Sequence, residues 1–539
     1  MLFYTIFLVA MFTAIILIPP LTFIYNKFNL VDVPSPRKVH TVPVPRVGGI
    51  AIVIATIIPI LWWAKLDLSM FGMLIGIGML FILGIIDDAK NLSYKSKFIV
   101  QIASIVLIFT TAFIDINSSY FVNNDVLHYL LVLAIYFLFI LGVTNAINLA
   151  DGLDGLAGGE ALLSFSIIGL LAYEINNSAI VLIVLAVIGS VFGFLRFNTY
   201  PAKIFMGDTG SLFLGFVLGA LAVALTYGSD NAYAKTLPLL LVGLPIFDTI
   251  MVMIIRLYNR QSPFNADRNH LHHKLLDHGY KHYQSVLIIY LLQSFYILTA
   301  YFMRYDTELN VVLAFLIISL FAYLVGASHK KSISIFHYKS NKIVNLLRNI
   351  QTRIYVNTNA IFSLLVLSIL IYSFTSTFNI QTESLDILVL LGGITLLSIT
   401  GLIFYVKRSC TWLERIAIHV MIVLSIYFAT HDIDGPLTSN MHLIILIFCI
   451  GLIITLFLAS SSKQFVGSPL DFLLIATAIV IPNLPKSPVS DPNLSILVIK
   501  LIILFYCIEY ILFNIRYNWW AVRTTLALCA CVPIFLNYL

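Results

Sequence analysis

Apolar residues recur along this chain in runs of roughly 17 to 22, and the polar residues gather in short breaks between them. A run of that length, wound as a helix, matches the hydrocarbon thickness of a bilayer. Lipid offers backbone amides no partner, so each run must be helical. The pattern therefore predicts an all-α, polytopic integral membrane protein with about eighteen spans. About eleven precede a long basic loop at 328–358 and about seven follow it. No basic segment precedes the first run, and no small-residue cleavage site precedes its basic flank. It is expected to stay as a span rather than to be removed as a signal peptide.

Composition sharpens this only slightly: of 539 residues, 60% are hydrophobic and 10% charged, and the mean hydropathy is +0.99. The placement of charge adds an orientation. With the loop at 26–48 inside, alternation of the spans puts 26 of the 31 Lys and Arg residues on that side. Lys65, Lys235, Arg304 and Lys486 fall outside, and Lys500 falls within a span. This is the positive-inside pattern, with the amino terminus outside. The net charge of +6 is then mostly topology and gives no support to nucleic-acid binding. The five cysteines all lie in the last third without metal or disulfide spacing, and read as small hydrophobes.

Every chemically suggestive motif lies before residue 285. The expected division is a membrane domain over 1–330, a basic cytoplasmic linker over 331–358, and an additional transmembrane region of unknown role over 359–539. Within the linker, IVNLLRNI reads as a short interfacial helix, with a purely topogenic loop as the plain alternative. Lys500 and Glu509 share one late span but lie on opposite helical faces, so they do not pair.

Four polar breaks carry candidate chemistry. In IIDDAKNLSYKSK, adjacent Asp87 and Asp88 end an apolar run, with Lys90, Lys95 and Lys97 just after. Two neighbouring carboxylates repel, and a cation relieves them; lysines suit an anionic lipid headgroup. A solvated helix end is the alternative. In NAINLADGLDGLAGG, Asn145, Asn148, Asp151 and Asp154 recur at every third position among glycines. Such amides and carboxylates can hold sugar hydroxyls, a ribose or a hydrated metal, or else join two helices. In FMGDTGSLFLG, Asp208 precedes a new span. Asp208 itself, Thr209 or Ser211 is expected to cap that helix, whose amides favour an anion while the carboxylate favours Mg²⁺. In SPFNADRNHLHHKLLDHG, His270, His272 and His273 crowd together beside Arg268 and Lys274, outside any standard zinc spacing. Asp248, inside a span, is a further candidate that needs a partner from another helix.

Taken with RKVHTVPVPRVGG and PIFDT, these segments resemble the polyprenyl-phosphate N-acetylhexosamine-1-phosphate transferase family, its WecA/TagO branch most closely and MraY more distantly. The resemblance covers roughly residues 1 to 330. It implies a Mg²⁺-dependent enzyme (Mn²⁺ as an alternative ion) in the bacterial inner membrane, working on the cytoplasmic face. There a polyprenyl phosphate, undecaprenyl phosphate above all, attacks the β-phosphorus of a UDP-N-acetylhexosamine, most simply UDP-GlcNAc. UMP leaves, and a lipid-linked sugar starts a cell-envelope polysaccharide such as O-antigen or teichoic acid. The partners implied are those two substrates and membrane lipids, with a homodimer compatible and no nucleic acid.

Residue by residue, the resemblance makes Asp87 the carboxylate that deprotonates or orients the lipid phosphate, and Asp88 its neighbour at the metal. It makes Asp208 the metal-binding aspartate. Asn145, Asn148, Asp151 and Asp154 fall in the nucleotide-sugar motif. His270, with His272 and His273, falls in the histidine motif beside the donor phosphates, and Lys95 and Arg268 serve as basic substrate contacts. Asn91 stands where some members carry a third acid. The His-Leu-His-His form favours a simple UDP-N-acetylhexosamine over a muramyl pentapeptide donor, while UDP-GalNAc or a modified sugar stays open. A membrane transporter is the non-enzyme alternative, disfavoured because the polar groups collect on one face rather than at mid-membrane.

Overall fold

The computed structural model describes residues 2–28, 31–32, 43–90, 92–114, 126–227, 232–262 and 268–327, with seven isolated positions between 364 and 448. The chain divides into two compact units, the first chiefly residues 1–336 and the second chiefly 337–539. The elements below belong to the first. Apart from those isolated positions, the basic linker 331–358, the region 359–539 and the spans expected there lie outside the described residues, as does the 37–42 part of the first motif.

In chain order the helices are α1 (Leu2–Lys27), α2 (Gly48–Trp63), α3 (Leu68–Lys90), α4 (Tyr94–Thr110), α5 (Val126–Ala150), α6 (Leu156–Glu174) and α7 (Ser178–Asn198). They continue as α8 (Gly207–Tyr227), α9 (Pro238–Leu241), α10 (Gly243–Tyr258), α11 (Leu271–Asp277), α12 (His282–Phe302) and α13 (Glu308–Ala327). Between α1 and α2, β1 (Val31–Asp32) pairs antiparallel with β2 (Val44–Pro45), Val31 opposite Pro45. Among the described residues, eight helices (α1, α3, α5, α6, α7, α8, α12 and α13) are long and apolar enough to cross a membrane, and α2 is a shorter apolar helix. This is the helical, polytopic architecture that the apolar runs predict.

The core is built around α8, which is buried along its whole apolar length and packs against α2, α3, α5 and α6. The surrounding helices turn large apolar side chains outward, Ile82 on α3, Leu138 on α5 and Ile317 on α13 among them, as a bundle bathed in lipid does. Where the helices break, polar side chains take up the freed backbone groups. Between α9 and α10 the helix breaks at Val242, and Gln293 of α12 fills the break. Its Oε1 accepts from the Leu244 amide at 3.1 Å, while its Nε2 donates to the Leu241 carbonyl at 3.2 Å and to Ser164 at 2.8 Å. The freed backbone groups are thereby satisfied away from water.

Helix direction sorts the remaining polar residues into two groups. The ends of α3, α5 and α7 and the starts of α4, α6 and α8 carry the sequence motifs. The opposite ends of α6 and α8 meet the loops at 232–237 and 303–307. There Arg304 pairs with Glu174 at 3.0 Å and stacks over Tyr301 and Tyr305, and Glu308 accepts the amides of Lys235 and Thr236.

Candidate active site

Asp87 lies buried in the last turn of α3, and its Oδ1 accepts the Leu92 amide at 2.6 Å. Ser93 accepts from the Ser96 amide and so starts α4. That start brings Lys97, one turn on, across to the acids. The Lys97 ammonium lies 2.5 Å from Asp87 Oδ2 and 2.5 Å from Asp208 Oδ2. Lys95, expected as a substrate contact, is exposed on the helix surface. The register of α4 thus puts Lys97, rather than Lys95, among the acids.

Asp88 does something the sequence does not announce. Its Oδ1 accepts the Asp208 amide at 2.9 Å, and its Oδ2 accepts the Thr209 amide at 3.1 Å and the Thr209 hydroxyl at 2.7 Å. The cap of α8 is therefore neither Asp208 nor Thr209 nor Ser211 but a carboxylate from α3, and the anion at this helix start is Asp88 itself. Gly207 makes the approach possible: its φ is +69°, and a Cβ there would meet the Asp88 carboxylate at 2.6 Å. Arg46 stands behind, 3.7 Å from Asp88 and 2.6 Å from Asp32. The VGG segment that follows it is tied to the loop before Asp208 by Gly48 and Gly49 amides donating to the Phe205 and Met206 carbonyls at 2.9 and 2.8 Å.

The polar run on α5 divides. Asn148 donates to Asp208 Oδ1 at 3.2 Å and to Ser211 at 2.8 Å, within the acidic cluster. Asn145 instead exchanges hydrogen bonds with Gln101 of α4, at 2.9 and 3.4 Å, and donates to the Leu141 carbonyl. The helix ends at Ala150, so Asp151 and Asp154 stand on a turn and not on a continuing stripe. Burial, with Asp208, Asp88 and Asp154 nearby, pushes the Asp151 carboxyl up to about 7, against the pull of Arg46. Asp154 accepts the Ala202 amide at 2.9 Å, and its own amide donates to His282 at 3.1 Å. It joins the turn to the loop ahead of Asp208.

The histidines meet this turn from the other side. The ring of His272 lies directly against Gly152, where any Cβ would strike it. Its ring is nearly parallel to that of His270 at 5.8 Å and lies 4.2 Å from that of His273. Burial, then His273 and His270, push the His272 imidazole well below the usual histidine range; burial, then Arg268, push His273 down as well. Asp248 finds the partner from another element that its place inside apolar helix α10 demands. Its Oδ2 lies 2.8 Å from His270 Nδ1, and its Oδ1 accepts the Leu271 amide at 2.8 Å. Arg268 is not drawn in: it pairs with Asp277 at 3.0 Å, both exposed.

Among the described residues, no three His, Cys, Asp or Glu side chains are grouped as a ready metal cage. Asp87 and Asp208 nevertheless converge on a single cation, the Lys97 ammonium. Hard oxygen donors of this kind suit Mg²⁺, which is commonly held by one or two carboxylates together with substrate phosphates and water. Asp88, expected as the second ligand, has Oδ2 taken by two donors and Oδ1 by a third.

The family model described as glycosyl transferase family 4 matches residues 70–226, which run from α3 through the acidic cluster to the end of α8. A Bacillus subtilis protein named probable undecaprenyl-phosphate N-acetylglucosaminyl 1-phosphate transferase is 37% identical over 315 residues, 58% of this chain and 88% of that protein. A Mycolicibacterium smegmatis decaprenyl-phosphate N-acetylglucosaminephosphotransferase is 33% identical across 49% of this chain and 73% of its own. The Escherichia coli K12 undecaprenyl-phosphate alpha-N-acetylglucosaminyl 1-phosphate transferase is 28% identical across 57% of this chain and 86% of its own. With most of the Bacillus protein's length aligned and the family model lying over the helices that carry the acids, the chain belongs to the polyprenyl-phosphate N-acetylhexosamine-1-phosphate transferases.

Proposed function

We propose that this protein transfers GlcNAc-1-phosphate from UDP-GlcNAc to undecaprenyl phosphate at the cytoplasmic face of a bacterial inner membrane. The names of its relatives supply the sugar and the acceptor class, and the positive-inside pattern supplies the face. The observation that carries the chemistry is Lys97 held between Asp87 and Asp208.

In the reaction an oxygen of the lipid phosphate attacks the β-phosphorus of the donor. The new P–O bond forms as the bond from that phosphorus to the bridging oxygen breaks, and UMP carries the oxygen away. Asp87, next to the Lys97 ammonium, orients the lipid phosphate and takes its proton. Lys97 neutralises the incoming anion. Asp208 and Asp87 would hold Mg²⁺, which would supply positive charge to offset the charge that builds on the leaving phosphate. Asn148 keeps Asp208 in place, and Asp88 fixes the start of the helix that carries it. The turn at Asp151–Asp154 and the histidines opposite it form the donor side. His270, oriented by Asp248, offers an imidazole to the diphosphate.

The test is a transfer assay on purified protein with undecaprenyl phosphate, Mg²⁺ and a panel of UDP-sugars. UMP release together with lipid-linked sugar from UDP-GlcNAc supports the reading. Turnover confined to UDP-GalNAc or to a muramyl peptide donor keeps the chemistry and replaces the sugar.

A further inference from the structure

Among the described residues the buried carboxylates are Asp87 and Glu160, and the reaction above uses only the first. Glu160 sits on α6, 3% exposed, and no donor among the described residues reaches its carboxyl. It lines a cavity of about 20 Å³ shared with Asp248 of α10 and His272 of α11, the other walls being apolar side chains such as Leu244, Pro245 and Ile289. A polar cavity needs roughly 10–15 Å³ to admit a water, and that water needs two to four polar partners. This cavity has room for about one, and three polar side chains face it.

We propose that Glu160 is a positioning residue for the histidine motif, a neutral acid that reaches Asp248 through one water bound in this cavity. The inference rests on the transferase reading and deepens it. Two carboxylates around one cavity of this size cannot both be charged at low cost. Asp248 Oδ1 accepts the Leu271 amide and its Oδ2 lies 2.8 Å from His270 Nδ1, whereas no donor among the described residues reaches Glu160, so we place the proton on Glu160. The water then gives Asp248 a further donor and is held from the other side by His272. Asp248 is thereby fixed in place. It keeps the proton of His270 on Nδ1 and leaves Nε2 for the donor phosphates. The same water steadies His272 against Gly152. Apart from Asp248 and His272, the titratable group near Glu160 is Tyr290 of α12, whose hydroxyl donates to the Gly155 carbonyl at 2.6 Å and so holds the far end of the same turn.

Two substitutions in the full-length protein separate this role from simple packing. Glu160→Gln keeps a neutral hydrogen-bonding side chain; Glu160→Leu keeps the bulk and removes the donor. The expected result is kcat within about twofold of wild type for the Gln variant. The Leu variant is expected to lose roughly tenfold or more in kcat, the range typical of outer-shell partners. The KM for UDP-GlcNAc should change little, and the limb of the pH–rate profile that reports the histidine should move. Equal losses in both variants, or a Leu variant with unchanged kcat and pH profile, overturns the proposal. An infrared difference spectrum supplies a readout independent of turnover. Wild-type protein at neutral pH should show the carbonyl stretch of a buried protonated carboxyl, and Glu160→Gln should lack it; no such band in wild type also overturns the proposal. If wild type transfers nothing, the transferase reading fails while the infrared result still decides the state of Glu160.

Discussion

The backbone amide of Asp208 donates to Asp88 Oδ1 at 2.9 Å. The second acid of the Asp87–Asp88 pair thus holds the helix that carries the acid facing the first. The two neighbours are opposed in use: Asp87 turns to Lys97 and the reacting groups, while Asp88 anchors α8.

This division makes the two acids separable by mutation. Asp88→Asn replaces one acceptor by an NH₂ group facing the amide of Asp208 or Thr209. It is expected to lower stability by about 1–3 kcal/mol, the cost of an unmet buried hydrogen bond, and to reduce transfer with it. Asp208→Asn is expected to abolish Mg²⁺-dependent transfer with a near wild-type unfolding midpoint. Thermal unfolding in detergent, run beside the transfer assay, checks both; an Asp88→Asn protein of full stability contradicts the anchoring role.

Lys97 is the cation that lets Asp87 and Asp208 face each other. Lys97→Met is expected to cut kcat by roughly a hundredfold or more, as loss of a charged group that stabilises the transition state does. Arginine is not expected to restore it, since a planar guanidinium does not replace a compact ammonium 2.5 Å from two carboxylates. Lys95→Met, on the exposed face, is expected to leave kcat within about twofold.

Gly152 is where the donor turn and the histidines touch. Gly152→Ala forces the His272 ring away. The expected loss in kcat/KM for UDP-GlcNAc is between about tenfold and a hundredfold, the usual effect of displacing a binding group by about an ångström. Steady-state kinetics over donor concentration decide it, and an Ala variant with unchanged kcat/KM removes the contact from the donor site.

The Asp151 carboxyl gives the fold a defined pH dependence. Its value in the fold, about 7, lies above the 3.8 of a free aspartate, so the folded state holds the extra proton between those limits. Its contribution to stability is complete below pH 4 and is lost as pH rises to about 7. In EDTA, the unfolding midpoint of wild type relative to Asp151→Asn is therefore expected to fall across that window and to level off above it. A difference that stays constant with pH contradicts the assignment.

Truncation after residue 330 is expected to retain transfer, because every residue of the site described above lies before residue 285. Radiolabelled product formation by the truncated protein checks this; total loss in a folded truncation makes the later region part of the catalytic unit.

The residues alone were enough for the helical membrane class, the order of the motifs and the family, because apolar run length and motif spacing are local properties. What they left open depends on helix register and on which ends meet. Lys95 and Lys97 are equivalent as sequence, and only the start of α4 at Ser93 decides which one turns toward Asp87. Asp208 reads as its own helix cap, since nothing local shows that Asp88 arrives first. Asp248 was visible as a costly acid in a span, but its partner, His270, is 22 residues away. Glu160 carries no motif signal at all, and its interest comes from burial with no donor among the described residues.

The most direct test of the central claim follows the phosphate itself. Purified protein is given undecaprenyl phosphate, Mg²⁺ and UDP-GlcNAc labelled in the β-phosphate, and the lipid fraction is collected. The account predicts label in a lipid-linked sugar diphosphate, released UMP without label, and loss of both products in Lys97→Met. Label that stays in released UDP while sugar reaches the lipid, or folded protein that moves neither label nor sugar, contradicts it.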